Sequence, residues 1–324
     1  MEIYVGSTNP VKHKVFWRGE PTDADSNPTV TVYDITNDPE TNINPNTPLY
    51  SNLATEKSEV DLGVYNLNLP LNATYKSRDL KLVWSYVVQG SAQSKEHKLF
   101  VVVPYVDYAQ ACDCLRIGND PSDPNYKTYN EIMAAERYAR KVIENYTGQK
   151  FYTYSETCSV YGVDSDSLVL PSKIESLYKL YSNDILLEDN INNIDNWNYQ
   201  VDITESGFAL RINRANMLDN TVYTANGMVP PTIHDYSGVF KRGVRYTVFG
   251  KFGWDQVPDE VELAAIELMK DYFSKDNLWR NKYINKISTF DWDFEYGSGA
   301  TSGTGNLYAD QLLSDYVVSK VILI

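Results

Sequence analysis

Three histidines and three cysteines are the side chains best suited to nucleophilic or metal chemistry in this chain of 324 residues. His13 and His97 lie in strand-rich sequence, and His234 lies in a polar stretch beside Asp235. A Ser-His-Asp triad needs a positioned nucleophile, base and orienting group, and no G-x-S-x-G motif is present. Phosphate-binding loops and H-E-x-x-H motifs are also absent. The sequence therefore predicts no enzyme and no cofactor.

Two short segments carry possible metal ligands. Cys112-Asp113-Cys114 offers two thiols, but zinc needs about four ligands and no second Cys/His pair follows at ligand spacing. The run Asp291-Trp292-Asp293-Phe294-Glu295 alternates carboxylates, yet an EF-hand loop needs glycine sixth and glutamate twelfth, and Gly297 is seventh. We predict an extended segment there and no metal site. A hydrolase with paired carboxylates stays an alternative, because such pairs meet only in the folded chain.

Composition narrows the class of protein further. The formal net charge of -14 argues against a protein that wraps nucleic acid, because Lys and Arg supply that binding. No run of about 18 apolar residues is present, so no transmembrane helix is expected. The start MEIYVGSTNP lacks the regions of a secretory signal, which predicts synthesis and retention in a cytoplasm. The 26 tyrosines favour a β-rich protein that makes contacts.

Residues 1–104 are predicted to form an all-β, immunoglobulin-like sandwich. About seven short segments with β-like composition are separated by turn residues, and several alternate apolar and polar side chains. Thr29–Tyr33 and Leu80–Val88 are examples. Trp84 is the expected core tryptophan, although the Cys…Trp…Cys signature of antibody domains is absent.

Residues 105–296 are predicted to form a second domain with helices at about 129–147 and 258–275 and a β insertion at about 151–252. Thr128 or Asn130 can cap the first helix, Gly148 can end it, and Pro258 suits the first turn of the second. The fold class is therefore α+β and multidomain. The helices are predicted to pack through Ile132, Ala139, Val142, Ile143, Val261, Ala265, Leu268, Met269, Tyr272 and Phe273.

Residues 297–324 combine a predicted flexible tether, Gly297–Asn306, with an apolar segment. Leu312–Tyr316 could be helical, and Val317–Ile324 could add to a partner's sheet edge. The segment either folds onto its own core or docks on a neighbouring subunit. We favour docking, and expect the chain to stay folded without Leu307–Ile324. The predicted docking arm comprises Leu307, Tyr308, Leu312, Leu313, Tyr316, Val317, Val318, Val321, Ile322, Leu323 and Ile324.

The second half resembles the head–tail connector (adaptor) proteins of tailed bacteriophages. Ile143-Glu144-Asn145-Tyr146-Thr147-Gly148-Gln149-Lys150-Phe151 is similar to a family helix that ends in I-x-x-Y-T-G-x-x-F. Leu168-Val169-Leu170-Pro171 resembles the L-x-L-P hairpin that follows in that family. Val257-Pro258-Asp259-Glu260-Val261 and Asp271-Tyr272-Phe273 match its later helix. The resemblance covers about 105–324 and consists of short matches.

The resemblance implies a helical bundle with an inserted β element, assembled as a dodecameric ring beneath the portal. It implies a structural protein of the virion neck, made in the bacterial host's cytoplasm, that extends the DNA channel without binding DNA specifically. The implied partners are the portal protein, neighbouring copies, and a tail terminator or further neck protein, with no membrane. Residues 1–104 fall outside the match. In the alternative reading, the chain is a virion-surface or tail-associated module whose sandwich contacts the host or a glycan.

Overall fold

In a computed structural model the chain is an α+β protein. The structure describes residues 1–36, 46–118, 120–192, 194–195, 200–213, 238–274, 286–288, 293–295 and 303–317. Within these ranges, three cores of buried apolar side chains are found. One lies between the N-terminal strands, one between the helices, and one in the inserted sheet.

The N-terminal block is built almost entirely of strands. Its main sheet has the order β1-β10-β9-β5-β6, and a second sheet has the order β2-β8-β7. Val11 and Leu67 of the second sheet share a core with Val30 and Trp84 of the first, which is compatible with the predicted sandwich. The elements are β1 (Glu2–Tyr4), β2 (Val11–Lys14), β3 (Phe16–Trp17), β4 (Glu20–Pro21), β5 (Thr29–Asp34), β6 (Pro48–Ala54), β7 (Glu56–Lys57), β8 (Val64–Leu67), helix α1 (Leu71–Thr74), β9 (Arg78–Val88) and β10 (Ser91–Val102).

The long hairpin of β9 and β10 follows directly from its sequence. Leu80, Leu82 and Trp84 alternate with more exposed residues and are fully buried, so the period-two pattern places Trp84 in the core as predicted. Gln89 and Gly90 both have positive φ, 50° and 73°, which matches a two-residue type I′ turn.

Two histidines meet where the second sheet of this block packs on the first. Nε2 of His97 lies 3.0 Å from Nδ1 of His13, and the His13 ring centroid is 4.7 Å from that of Trp84. Burial, with His97 and Lys95 nearby, lowers the pKa of His13 to about 4. Burial also lowers the pKa of His97. Both rings are therefore neutral in the folded block at neutral pH.

We expect the N-terminal block to lose stability as the pH falls from about 6.5 to about 4. In the unfolded chain His13 takes up a proton near pH 6.5, whereas in the folded chain it does so only near pH 4. Lowering the pH through this range therefore decreases the free energy of unfolding by up to about 3 kcal/mol. Denaturant unfolding across this pH range measures the effect. In the His13→Phe variant the pH dependence should be shallower, and an equally steep dependence in that variant would contradict the assignment.

The helical part contains α2 (Tyr108–Leu115), α3 (Tyr129–Thr147), α4 (Asp259–Phe273), α5 (Leu307–Leu313) and a 3₁₀ turn at Ser314–Tyr316. The bounds of α3 are those predicted from the sequence. Thr128 and Glu131 form a capping box at its start, and Gly148 ends it with φ of 73°. The helix α4 begins after Pro258 as predicted and ends at Phe273, because Ser274 is extended.

Between α3 and α4 the chain forms two small sheets with their own core. Their orders are β11-β18-β13-β14-β15 and β12-β17-β16, and Leu180, Leu210 and Val248 are fully buried. Further along, Asp293–Glu295 is extended, as predicted for that segment, and pairs with Lys286–Ser288. The strands are β11 (Tyr154–Tyr161), β12 (Ser167–Val169), β13 (Ile174–Ser182), β14 (Ile185–Asp189), β15 (Ile194–Asp195), β16 (Gln200–Ile203), β17 (Ala209–Asn213), β18 (Arg245–Phe252), β19 (Lys286–Ser288) and β20 (Asp293–Glu295).

Candidate functional site

The segment that enters α5 is fixed to the rest of the chain by hydrogen bonds. The Asn306 side chain caps α5 by accepting from the N–H groups of Tyr308 and Ala309. Its amide also donates to Oδ2 of Asp271 in α4 at 2.8 Å. The backbone N–H of Thr304 donates to Oδ1 of Asp310 at 2.7 Å. Residues 303–306, predicted to be part of a flexible tether, are therefore anchored to α4 and α5.

Helix α5 packs against α4 and completes the helical core. Ala309 and Leu313 are fully buried, and Leu312 lies against the same cluster. These positions follow an i, i+3, i+4 pattern, which places them on one helix face. The face is therefore covered by the chain's own helices.

Tyr316 holds the end of this segment against the start of the inserted sheet. Its ring centroid is 5.5 Å from those of both Phe151 and Trp254. Its hydroxyl donates to Oε2 of Glu260 at 2.9 Å, and its carbonyl accepts from the side-chain amide of Gln149. Burial, together with the Glu260 carboxylate, raises the pKa of Tyr316 to about 12.

The predicted docking arm is thus divided into three parts. Leu313 lies in its own chain's core, and Leu312 and Tyr316 pack against that core, which is the alternative that we favoured less. Leu307, Tyr308 and Val317 are exposed. Five further residues of the predicted arm lie outside the described residues: Val318, Val321, Ile322, Leu323 and Ile324.

The residues predicted to pack the connector-like helices occupy one core, with one exception. Ile132, Ala139, Ile143, Val261, Ala265, Leu268 and Met269 are buried, and Val142 and Phe273 pack against them partly exposed. Tyr272 instead lies at the surface, with its ring centroid 5.4 Å from that of Tyr138 on α3. Its aromatic contact therefore bridges two helices on the outside of the core.

A buried ionic network joins β1 to α3. Arg140 is 1% exposed and lies 2.9 Å from Oε2 of Glu2, 3.6 Å from Oε1 of Glu136 and 3.4 Å from Oε1 of Glu144. The Tyr4 hydroxyl donates to Glu136. Burial raises the pKa of Glu136, and the Arg140 guanidinium opposes that rise. Lys141 and Arg137 also reach Glu2, at 3.4 and 3.7 Å, whereas Arg140 is the cation within 4.0 Å of Glu136 and Glu144 among the described residues. The charge balance of these two carboxylates therefore depends on Arg140.

Sequence reasoning missed this network, although a signal was present. Glu136 and Arg140 are one helical turn apart and fall on the same face of α3 as Ile132 and Ile143, where charged residues are unexpected. Tyr4 and Val102 share a core with Tyr105 and α3, so the N-terminal block and the helices are packed together.

Apart from His13 and His97, which contact each other, the described candidate chemical groups are dispersed. The thiols of Cys112, Cys114 and Cys158 are free, and His234 lies outside the described residues. Among the residues with described positions, no three His, Cys, Asp or Glu side chains are grouped so as to hold a metal ion. None of the helices seen in the described ranges is long and apolar enough to cross a membrane.

A second feature of the site is a cleft of about 400 Å³ between the N-terminal block and the inserted sheet. Four consecutive residues of β11, Tyr154 to Thr157, border it, and Phe100 to Val102 of β10 lie on the other side. The Lys150 ammonium is 4.2 Å from the centroid of the Tyr154 ring. Asp79 and Glu156 also line the cleft, and burial raises the pKa of Asp79.

No protein-family model matches the chain, and no curated protein sequence matches it. Among solved structures, one match is a chain from the neck of an empty gene transfer agent (GTA) particle computed with C6 symmetry. That chain is 14% identical, the match covers 67% of this chain and 91% of that one, and the TM-score is 0.34. A chain from the virion of a native GTA particle is 15% identical over 69% of this chain and 96% of that one, also with a TM-score of 0.34. Both TM-scores lie below 0.5, so these likenesses do not establish a shared fold.

Proposed function

We propose that the chain is a structural protein of a tailed-phage-like particle: a head–tail connector that forms a ring between the portal and the tail. The ring is dodecameric and extends the DNA channel, with the portal on one side and a tail terminator or further neck protein on the other. The chain carries no catalysis in this role. The N-terminal block is an immunoglobulin-like decoration on the ring.

The observation that carries the proposal is the common core of α3, α4 and α5. The two helices that bear the connector-like motifs pack against each other, although more than a hundred residues separate Gly148 from Asp259. The strands of the inserted sheet lie between α3 and α4 in the sequence. Val317, which follows α5 and the 3₁₀ turn, is exposed. A compact helical body whose described part ends at an exposed residue, followed in sequence by apolar residues, suits a subunit that binds its neighbours.

The charge of the chain supports the same role. A connector must let DNA pass, and a net charge of -14 opposes adhesion to phosphate. In this proposal the ring touches DNA without binding it specifically.

Shortening the chain after Val317 tests the proposal. We expect this chain to fold but not to join portal-containing particles, because residues 318–324 supply the apolar grip. Incorporation is measured by purifying particles and quantifying the chain in them. The matched control is Val60→Ser, which removes a 91% exposed apolar side chain from the N-terminal block and should incorporate normally. Normal incorporation of the shortened chain would contradict the docking role.

A further inference from the structure

One side of helix α3 is exposed along most of its length. Its exposed residues recur at helical spacing, opposite the side that packs in the core: Ala134, Arg137, Tyr138, Lys141 and Asn145. The ring of Tyr138, which is 46% exposed, contacts the ring of Tyr272, which is 41% exposed, on α4. These six residues are called the α3 face. Exposed tyrosines are typical of surfaces that bind another protein, because Tyr is enriched in protein interfaces.

The α3 face also carries positive charge. The side chains of Arg137 and Lys141 are 44% and 52% exposed. Both reach the carboxylate of Glu2, at 3.7 and 3.4 Å, and that carboxylate also binds Arg140. Among the described residues, Glu2 is the carboxylate within 4.0 Å of either exposed cation. The two cations thus share one already occupied anion and can bind a further one.

Helix α5 and the turn after it have an exposed side of opposite charge. It lies opposite the buried Ala309 and Leu313 and is called the α5 face: Leu307, Tyr308, Gln311, Ser314 and Asp315. Burial raises the pKa of Tyr316, and the nearby carboxylates of Glu260, Asp315 and Asp259 raise it further. These three carboxylates therefore lie close together at the end of the α5 face.

The two faces are complementary to each other but not to themselves. Tyrosines and cations lie on the α3 face, whereas Leu307, Tyr308 and carboxylates lie on or beside the α5 face. Two copies of the same face would bring like charges together, which disfavours a two-fold contact.

The core that α3 and α5 share shows why the partner is a second copy. Both helices turn their buried sides toward this core, so their exposed faces point away from it and cannot meet within one chain. They can meet between two chains. A contact between two different faces leaves one of each free on the pair, so copies add head to tail and close into a ring.

We propose that the α3 face of one copy binds the α5 face of the next copy. Tyr138 and Tyr272 pack against Leu307 and Tyr308, and the two exposed cations face the carboxylates beside Asp315. This inference rests on the proposed ring and names the surfaces that join its subunits.

Cross-linking between two differently tagged full-length chains tests the inference. Both chains carry Cys112→Ser, Cys114→Ser and Cys158→Ser; one also carries Ala134→Cys, and the other Gln311→Cys. A short thiol cross-linker is applied to the mixture in solution and in portal-containing particles. We expect a mixed dimer that contains both tags. The control replaces Gln311→Cys by Val60→Cys, which is exposed on the N-terminal block, and should lack that dimer.

Reversing charges separates a specific contact from simple proximity. Adding Lys141→Glu to the chain with Ala134→Cys should lower the yield of the mixed dimer about tenfold, because it places like charges in contact. Asp315→Lys in the chain with Gln311→Cys should do the same. Combining the two variants restores opposite charges and should recover most of the yield. Both side chains are exposed, so each variant should keep the unfolding midpoint of its parent.

The outcomes distinguish the inference from the proposed function. Absence of the mixed dimer both in solution and in particles that contain the chain would overturn the inference. A yield that neither charge reversal changes would overturn it as well. Cross-links from both cysteines to the portal alone would also overturn it but leave the proposed function standing. Failure of the unmutated chain to enter portal-containing particles would count against the proposed function, whereas a charge-dependent mixed dimer in solution would still support the contact.

Discussion

A chain that ends at Asn306 is expected to lose more than about 5 kcal/mol of unfolding free energy in its helical core, since large buried side chains each contribute about 2–5 kcal/mol. The deletion removes Leu313 and Ala309, which are fully buried, and Tyr316, which covers Phe151 and Trp254. Domains are commonly stable by only about 5–15 kcal/mol, so much of the core should unfold. Denaturant titration followed by tryptophan fluorescence reports the change.

The matched control is the chain that ends at Val317. It keeps α5 and the 3₁₀ turn, so its unfolding midpoint should equal that of the full-length chain. Equal stability of all three chains would show that α5 is dispensable, contrary to its packing. Because α5 packs in its own chain's core, we expect the chain to stay folded when the deletion begins after Val317 but not when all of Leu307–Ile324 is removed.

Replacing Arg140 with methionine is expected to lower the free energy of unfolding by about 3–5 kcal/mol, because removing one partner of a buried ion pair leaves an uncompensated charge. Glu136 is fully buried beside Arg140, and Glu144 also loses its cation, whereas Glu2 keeps Arg137 and Lys141. The change should loosen β1 from α3 as well. Thermal or denaturant unfolding of Arg140→Met measures the loss.

Arg137→Met is the matched control for this prediction. Arg137 lies on the same helix and reaches the same Glu2 at 3.7 Å, but its side chain is 44% exposed. Exposed ion pairs contribute about 0–1 kcal/mol, so this variant should be nearly neutral. Adding Glu136→Gln to Arg140→Met should recover part of the loss by removing a buried charge. Similar losses of unfolding free energy in Arg140→Met and Arg137→Met would contradict the conclusion that the buried carboxylates depend on Arg140.

Local signals predicted the helices well. The bounds of α3 follow from Thr128, Glu131 and Gly148, which act within a few residues of the helix ends. The strands of the β9–β10 hairpin follow from alternation, which records burial on one face. These features depend on residues that are close in sequence, so the helix bounds and the strands can be predicted from one amino-acid sequence.

The assignment of α5 needed information that its pattern lacks. Ala309, Leu312 and Leu313 form an apolar stripe whether the helix covers its own chain or a partner. The Gly/Ser-rich composition before it indicated a tether, yet Asn306 is fixed by Asp271, 35 residues earlier in the chain. Likewise, the partner of Glu136 and Arg140 is β1, more than a hundred residues away. Contacts between residues this far apart in the sequence produce no periodic pattern of apolar and polar residues.

Cryo-electron microscopy of the neck of a particle that contains this chain tests the connector assignment most directly. We predict a closed ring of copies between portal and tail, with α3, α4 and α5 in the body of each subunit and the N-terminal block on the outside. Density for the chain only on tail fibres or on the particle surface, with no ring at the neck, would contradict the assignment.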